Sequence, residues 1–379
     1  MASRGVPREN APMSHLPSKQ ALDAAMAHHA AGRLTEAEAI YRQILAVQPQ
    51  LPDALHLLGV IAHQVGRSDV AVEMILRAIA VMPSAPAFHS NLGESYRRLG
   101  HLEDAVAAYR AALRLQPDYA EARSNLGNTL KELGRVDEAI TELRRAVQIR
   151  PDNAGFHNDL AVALQVRGAA AEAIAVYRRA IELRPDYAEA CNNLGVALKE
   201  QGRFEEAEAM CRRAIELKPD CAETHSDLGD LLRSMGRIDE AITTYRQAMQ
   251  IAPGCAEVRG NLLLTLHLHA HRDAQVMFEE HRRWDEIHAR PLAKCIEPHG
   301  NDRDASRALR VGYVSPDLWE HPVAAALAAG VPRLTSLRAA LREKMKASPL
   351  LDAPRFARDV ETAYRGMWRE WCEQQTPSP

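Results

Sequence analysis

Six polar side chains recur along the chain at intervals of 34 residues, and their chemistry suits binding to a polypeptide backbone. An asparagine amide offers both donors and an acceptor, so it pairs with the N–H and C=O groups of an extended peptide whatever that peptide's side chains are. A second interpretation stays open, in which the same groups bond neighbouring parts of the chain and hold successive repeats in register. The predicted peptide-binding ladder consists of Asn91, Asn125, Asp159, Asn193, Asp227 and Asn261.

A row of basic side chains follows the ladder six residues further along. Its members are Arg97, Lys131, Lys199 and Arg233, and Gln165 interrupts it. Exposed lysine and arginine side chains are usually only solvated, so the row alone is weak support for a binding site. We include it in the predicted peptide-binding surface because it follows the same register.

Clustered histidines raise the question of a metal site. His267, His269 and His271 alternate along the sequence. Alternating positions of a helix do not share one face, and no carboxylate cluster completes a set of ligands. We therefore interpret these imidazoles, like those of His28 and His29, as packed or solvated groups. The sequence predicts no metal and no cofactor.

Short helices must position these side chains, because the chain repeats every 34 residues. Proline recurs at positions 49, 83, 117, 151, 185, 219 and 253, glycine at 32, 66, 100, 134, 168, 202 and 236, and alanine at 37, 71, 105, 139, 173, 207 and 241. Glycine closes the turn between two helices, alanine lets them approach closely, and proline ends the second helix. Segments such as Asp118 to Glu121 after the proline predict a capping box at the next helix.

The composition favours a helical protein without an electrostatic bias. Hydrophobic residues make up 46% of the 379 residues and aromatic residues only 5%, and the net charge is −3. Nothing in this balance favours nucleic acid or an anionic membrane as a partner. The first residues lack the apolar core of a signal peptide, and no apolar run approaches the roughly 20 residues that span a bilayer. Six cysteines without a CxxC pair predict reduced thiols, and we expect a cytoplasmic protein.

The register decays after Gly260, and the rest of the chain follows other patterns. Residues 278–289 predict one amphipathic helix, and residues 309–317 predict a single strand. A single strand cannot form a sheet, so its partners must be lost or external. Residues 352–372 predict a helix with a wide aromatic face that must be buried.

The 34-residue pattern resembles that of the tetratricopeptide repeat (TPR) family, with seven units between residues 18 and 255 and a degenerate eighth. The resemblance implies an all-α fold, a right-handed superhelix whose first helices line a long concave groove.

A second resemblance is carried by three segments: EEHRRW at 279–284, LRVGYVSPD at 309–317 followed by His321 and Pro322, and residues 348–372. They resemble bacterial SPINDLY-type O-GlcNAc transferases. That resemblance implies a UDP-GlcNAc-dependent GT-B enzyme acting on Ser and Thr of polypeptides, with His321 at the position of the family's proposed base. Only 71 residues follow position 308, whereas each lobe needs several βαβ units of about 30 residues. We therefore interpret His321 as vestigial and the catalytic interior as missing.

The sequence predicts five segments. These are a flexible N-terminus (1–17), seven repeats (18–255), a degenerate repeat and linker helix (256–308), a one-strand remnant of the first catalytic lobe (309–334), and C-terminal amphipathic helices (335–379). The preferred function is a non-catalytic scaffold that binds extended polypeptides in its groove. One alternative is an O-GlcNAc transferase that is active only with a partner or in a longer form, with UDP-GlcNAc as donor. Others are an accessory subunit that pairs its strand with another chain, and self-association through the C-terminal helix.

Overall fold

The computed structural model describes residues 18–269 and 274–291, and these form sixteen α-helices and one π-helical turn. The predicted strand, His321 and the C-terminal helices lie outside the described residues. The helices are α1 (Ser18–Ala30), α2 (Leu34–Val47), α3 (Pro52–Gln64), α4 (Ser68–Val81), α5 (Pro86–Arg98), α6 (Leu102–Leu115), α7 (Ala120–Glu132), α8 (Val136–Ile149), α9 (Ala154–Val166), α10 (Ala170–Leu183), α11 (Ala188–Glu200), α12 (Phe204–Leu217), α13 (Ala222–Ser234), α14 (Ile238–Ile251), α15 (Ala256–Leu268) and α16 (Ala274–Trp284). The π-helical turn Asp285–Ala289 follows α16.

The register glycines close the turn inside each helix pair, as predicted. All seven have positive φ, between 70° and 85°, which is a region that other residues rarely adopt. At Gly134, the N–H of the following Arg135 reaches back to the Leu130 carbonyl at 2.8 Å. This bond satisfies one of the carbonyl groups that a helix end leaves without a partner.

The register prolines mark the end of each second helix. Helix α6, for example, ends at Leu115, two residues before Pro117, and α7 begins at Ala120. The predicted capping box is wrong, because Tyr119 is the N-cap residue of α7 and makes no side-chain cap bond. The helix begins two residues after Asp118, so that carboxylate precedes the capping position.

One repeat has a side-chain cap at this register. Asn153, the N-cap residue of α9, accepts from the N–H groups of Gly155 and Phe156 at 2.9 and 3.2 Å. An asparagine oxygen at this position satisfies two of the amides that the first turn of a helix leaves unpaired.

Small residues bring the two helices of each pair together. All seven register alanines are fully buried. On the first helix, a Cβ added to Gly127 would lie 2.6 Å from Leu143 Cγ, so only glycine permits this spacing. Large side chains fill the layer around these contacts, and in every second repeat the residue facing the first helix is a tyrosine: Tyr41, Tyr109, Tyr177 and Tyr245.

The stack of pairs curves, with the first helices on the inside. From α3 to α15, each odd-numbered helix contacts the next odd-numbered helix as well as its sequence neighbours. Within residues 18–291, the even-numbered helices make no comparable contacts with one another. In a curved stack the inner elements lie closer together. The odd-numbered helices therefore line the concave face of a TPR superhelix.

The eighth pair is α15 and α16. Arg259 on α15 and Glu280 on α16 form a buried ion pair at 3.3 Å, and Arg283 also reaches Glu280 at 2.8 Å. The helix predicted from residue 278 thus exists and begins four residues earlier, at Ala274. None of the helices within 18–269 and 274–291 has the length and apolar character needed to cross a membrane.

Candidate peptide-binding groove

A stripe of half-exposed residues runs along each odd-numbered helix. On α9 it comprises Gly155, Asp159, Val162 and Gln165, while most other residues of that helix are buried. Steps of three and four residues place side chains on one helical face. The predicted ladder and the basic row occupy this stripe, so both face the concave groove.

The ladder residues bond side chains of the preceding repeat. Asp159 accepts from the Ser124 hydroxyl at 2.7 Å and from the Asn128 amide at 3.0 Å. Asn193 donates to Asn158 Oδ1 at 3.1 Å. These bonds join α7 to α9 and α9 to α11 across the repeat boundary.

The same connection recurs further along the stack. Asp227 accepts from Asn192 Nδ2 at 2.6 Å, and the Asn91 amide lies 2.8 Å from His56 Nε2. Asn261 extends the pattern with a longer contact of 3.5 Å to Asp230. The alternative that the ladder holds repeats in register therefore has direct support at five of its six positions.

Asn125 differs from the other ladder residues. Its side chain is half-exposed and makes no hydrogen bond within the described residues, although its backbone carbonyl accepts from the Thr129 hydroxyl. Elsewhere an amide such as that of Asn193 uses one of its donors and keeps the rest. The stripe thus retains hydrogen-bonding capacity toward the groove while it joins the repeats.

The basic row is only partly paired. Arg97 contacts Glu94 at 2.6 Å and Glu132 of the next repeat at 2.9 Å, and Arg233 contacts Asp230 at 2.7 Å. Lys131 makes no ion pair within the described residues.

Lys199 also makes no ion pair within the described residues. Gln165, which interrupts the basic row, bridges two other polar groups. It donates to Glu200 at 3.0 Å and accepts from the Tyr177 hydroxyl at 3.0 Å. Tyr109 and Tyr245 likewise donate to Glu94 and Asp230, at 3.0 and 2.6 Å. The sequence analysis did not single out these tyrosines and missed this layer of bonds beneath the groove. Their recurrence at every second repeat was the available signal.

Burial and charge shift the pKa values of two carboxyl groups in the groove in opposite directions. Burial raises the pKa of Glu94, but the hydrogen bonds and charge of Arg97, with the bond from Tyr109, outweigh it, so the net pKa is lowered. Burial also raises the pKa of Asp227, and the bond from Asn192 does not reverse this shift.

A second set of bonds, which the sequence analysis missed, fixes the register prolines. Six residues after the proline, His89, His157 and His225 each donate from Nε2 to the proline carbonyl, at 2.8, 2.9 and 3.0 Å. Where this position is Cys191, Arg213 from α12 donates to the Pro185 carbonyl instead, at 2.7 Å. These histidines are structural, and the signal for them was their constant distance from the proline.

The histidines considered for a metal site have other partners. His267 Nε2 lies 3.1 Å from His281 Nε2, and His269 lies 2.8 Å from Asp239. Arg33 donates to His28 at 3.0 Å. His271 lies outside the described residues. Within those residues, no group of three or more metal-ligating side chains comes together.

A pocket of about 410 Å³ opens in the groove between α9, α11 and α13. Its lining combines valines with carboxylates and amides. Residues of three successive odd-numbered helices contribute, together with Tyr177 of α10: Val162, Gln165, Val166, Asn193, Val196, Glu200, Glu223 and Asp227.

Comparison with known families agrees with the helical repeat. Tetratricopeptide repeat models match residues 22–87, 64–120 and 90–154, and a further one matches 192–254. A TPR repeat model matches residues 167–202.

Two solved structures are similar in fold. A tetratricopeptide repeat protein from Parabacteroides merdae has a TM-score of 0.55 at 17% identity, covering 66% of this chain and 98% of its own. A chain of an APC/C hetero-tetramer has a TM-score of 0.52 at 19% identity, and the match covers 71% of this chain and 53% of that one. At these identities the likeness concerns the fold alone.

Curated relatives match over a short stretch. The probable UDP-N-acetylglucosamine–peptide N-acetylglucosaminyltransferase SPINDLY of Solanum lycopersicum is 48% identical over 52 residues, and that of Arabidopsis thaliana is 44% identical over 52 residues. The matches cover 14% of this chain and 6% of each relative.

Proposed function

The chain belongs to the tetratricopeptide repeat family, and on this premise we propose that it is a protein-interaction scaffold that binds extended polypeptides in its concave groove. The proposal rests foremost on the ladder. Its amides and carboxylates lie half-exposed along one face of successive odd-numbered helices, where they can pair with a peptide backbone.

Asn125 is the ladder position best suited to a test. Because its amide has no partner within the described residues, Asn125→Ala removes groove hydrogen-bonding capacity without leaving another side chain unpaired. A typical hydrogen bond contributes about 1 kcal/mol, which corresponds to a loss of affinity of about five-fold. The equivalent change at Asn193 would also leave the side-chain oxygen of Asn158 without its donor.

The assay is fluorescence anisotropy with a labelled, unstructured peptide and with the same peptide N-methylated along its backbone. We expect Asn125→Ala and backbone methylation each to weaken binding, because both remove backbone hydrogen bonds. The matched control is Gln148→Ala, which changes an exposed amide of α8 that lies on a second helix. Equal binding of the two peptides, or an equal loss in the control variant, would contradict the proposal.

A second candidate function follows from the curated relatives, whose names assign UDP-N-acetylglucosamine–peptide transfer. In this case the chain, acting with a partner or in a longer form, would be an O-GlcNAc transferase that uses UDP-GlcNAc, and His321 would be its base. Titration calorimetry with UDP separates the candidates, because a transferase must bind the nucleotide and a scaffold need not. Saturable one-to-one binding that leads to transfer lost in His321→Ala would favour the enzyme. A folded sample that gives no heat would favour the scaffold.

A further inference from the structure

The two halves of the groove differ in charge. Helices α3 and α5 carry two carboxylates and two arginines, so their charges balance. Helices α9, α11 and α13 carry six carboxylates against Lys199 and Arg233. The six are Asp159, Glu189, Glu200, Glu223, Asp227 and Asp230.

Most of this negative charge has no cationic partner. Among the six, Asp230 alone forms an ion pair within the described residues, with Arg233 at 2.7 Å. Asp227 and Glu200 accept bonds from the neutral amides of Asn192 and Gln165. Glu223 is exposed, and its side chain makes neither a hydrogen bond nor an ion pair in the part of the chain that the structure describes.

Three of these carboxylates line a pocket together with apolar side chains. Glu200, Glu223 and Asp227 line the 410 Å³ pocket, and Val162 and Val196 line it with them. The valine side chains offer apolar surface that an extended peptide can cover, and the carboxylates give the pocket negative charge. A lysine or arginine side chain supplies both chemistries, because its methylene stem packs on apolar surface while its charged end stays at the polar edge.

A buried acceptor next to Asp227 also lacks a donor. Asn192 is 6% exposed and donates Nδ2 to Asp227, but its Oδ1 has no hydrogen-bond partner. Unpaired buried acceptors are uncommon in folded proteins. Within the described residues, the side chain of Asp227 thus has one hydrogen bond, from a neutral amide, and no cationic partner.

We infer that the groove between α9 and α13 selects extended peptides in which a lysine or arginine is flanked by aliphatic side chains. This deepens the proposed function and rests on it, because it assigns a partner class to part of the same groove. Specificity comes from charge complementarity, which also makes wrong partners unfavourable. An acidic residue at the central position of the peptide would face carboxylates that, within the described residues, mostly lack a cationic partner.

The test uses three labelled peptides that differ at one central position. Each is unstructured, with valine on both sides of a central lysine, glutamine or glutamate. We expect affinity to fall from lysine to glutamine to glutamate, and the lysine preference to weaken as salt rises. Because a hydrogen bond to a charged group contributes more than a neutral one, Asp227→Asn should cost the lysine peptide about ten-fold in affinity. The glutamine peptide should lose little.

A second variant, Glu223→Gln, should likewise weaken the preference for the lysine peptide. The matched control is Glu216→Gln. Glu216 lies exposed on α12 without an ion pair within the described residues, so its neutralisation changes net charge equally outside the groove. Circular dichroism verifies that each variant is folded. Equal binding of the three peptides would overturn this inference and leave groove binding in place. A lysine preference that survives both groove substitutions would also overturn it, whereas absence of binding by all three would refute the proposed function itself.

Discussion

Gly127 and Gly260 offer a direct test of how this fold sets its helix spacing. Both are helical glycines, in α7 and α15, and alanine is favoured over glycine in a helix by about 1 kcal/mol. Nothing lies within 4 Å of a Cβ added at Gly260. We therefore expect Gly260→Ala to raise the free energy of unfolding by about 0.5–1 kcal/mol.

We expect Gly127→Ala, in contrast, to lower the free energy of unfolding. Its added Cβ would lie 2.6 Å from Leu143 Cγ and 3.2 Å from the Ala139 carbonyl oxygen. Leu143 is fully buried, and Cγ is its branch point rather than a flexible end, so it can move aside only by repacking the core or shifting the helix. Overpacking costs about 1–3 kcal/mol. After the gain of about 1 kcal/mol in helix propensity, we expect a net loss of up to about 2 kcal/mol.

The assay is urea unfolding followed by circular dichroism, with amide hydrogen exchange in α7 and α8 as a local measure, because a repeat stack can unfold in parts. A double-mutant cycle with Leu143→Ala isolates the energy of the contact between residues 127 and 143. With Leu143→Ala in place the contact with Cγ is gone and the 3.2 Å contact with the Ala139 carbonyl oxygen remains, so Gly127→Ala should be clearly less destabilising there than in the native background. Stabilisation by Gly127→Ala in the native background would refute the proposed close-contact role of this glycine.

Two further predictions concern groups beneath the groove. Tyr109→Phe should cost about 1–2 kcal/mol, since it removes the bond to Glu94, whereas Tyr41→Phe should cost nothing, because that buried hydroxyl has no partner. Denaturant titration compares the two. Glu94 has a lowered pKa when folded, so it contributes stability above its unfolded pKa of about 4.3, and this is lost as pH falls through the folded value. Glu94→Gln should therefore make the acid decline in stability shallower, and an unchanged slope would contradict the assigned bonds.

The repeat register predicted the helices because each of its residues acts locally. A glycine at positive φ, a proline after a helix and an alanine at a close contact have the same effect in every repeat, whatever their neighbours. The capping box failed for a related reason. It depends on the residue at which the helix begins, and Asp118 lies one residue before the N-cap position occupied by Tyr119.

The partners of the groove residues could not be predicted in the same way. Whether a ladder residue is engaged depends on a residue of the preceding repeat, most often the one 35 positions earlier, which reaches it only after two repeats have stacked. Asn193 meets Asn158, and Asp227 meets Asn192. The equivalent position before Asn125 does not bond its amide within the described residues. The spacing of 34 gives the register of the ladder, and the packing between repeats decides its chemistry.

This sharing of residues between the stack and the groove determines how substitutions in the ladder must be interpreted. Replacing Asp159 would leave the Ser124 hydroxyl and the Asn128 amide without their acceptor, so reduced peptide binding could follow from loosened repeats. Replacing Asn125 carries no such cost. If binding falls in both variants but hydrogen exchange between α7 and α9 quickens only with the first, then peptide contact and repeat register are separable properties of one row. If Asn125→Ala leaves binding intact while the Asp159 variant loses it, the ladder acts by holding the repeats together.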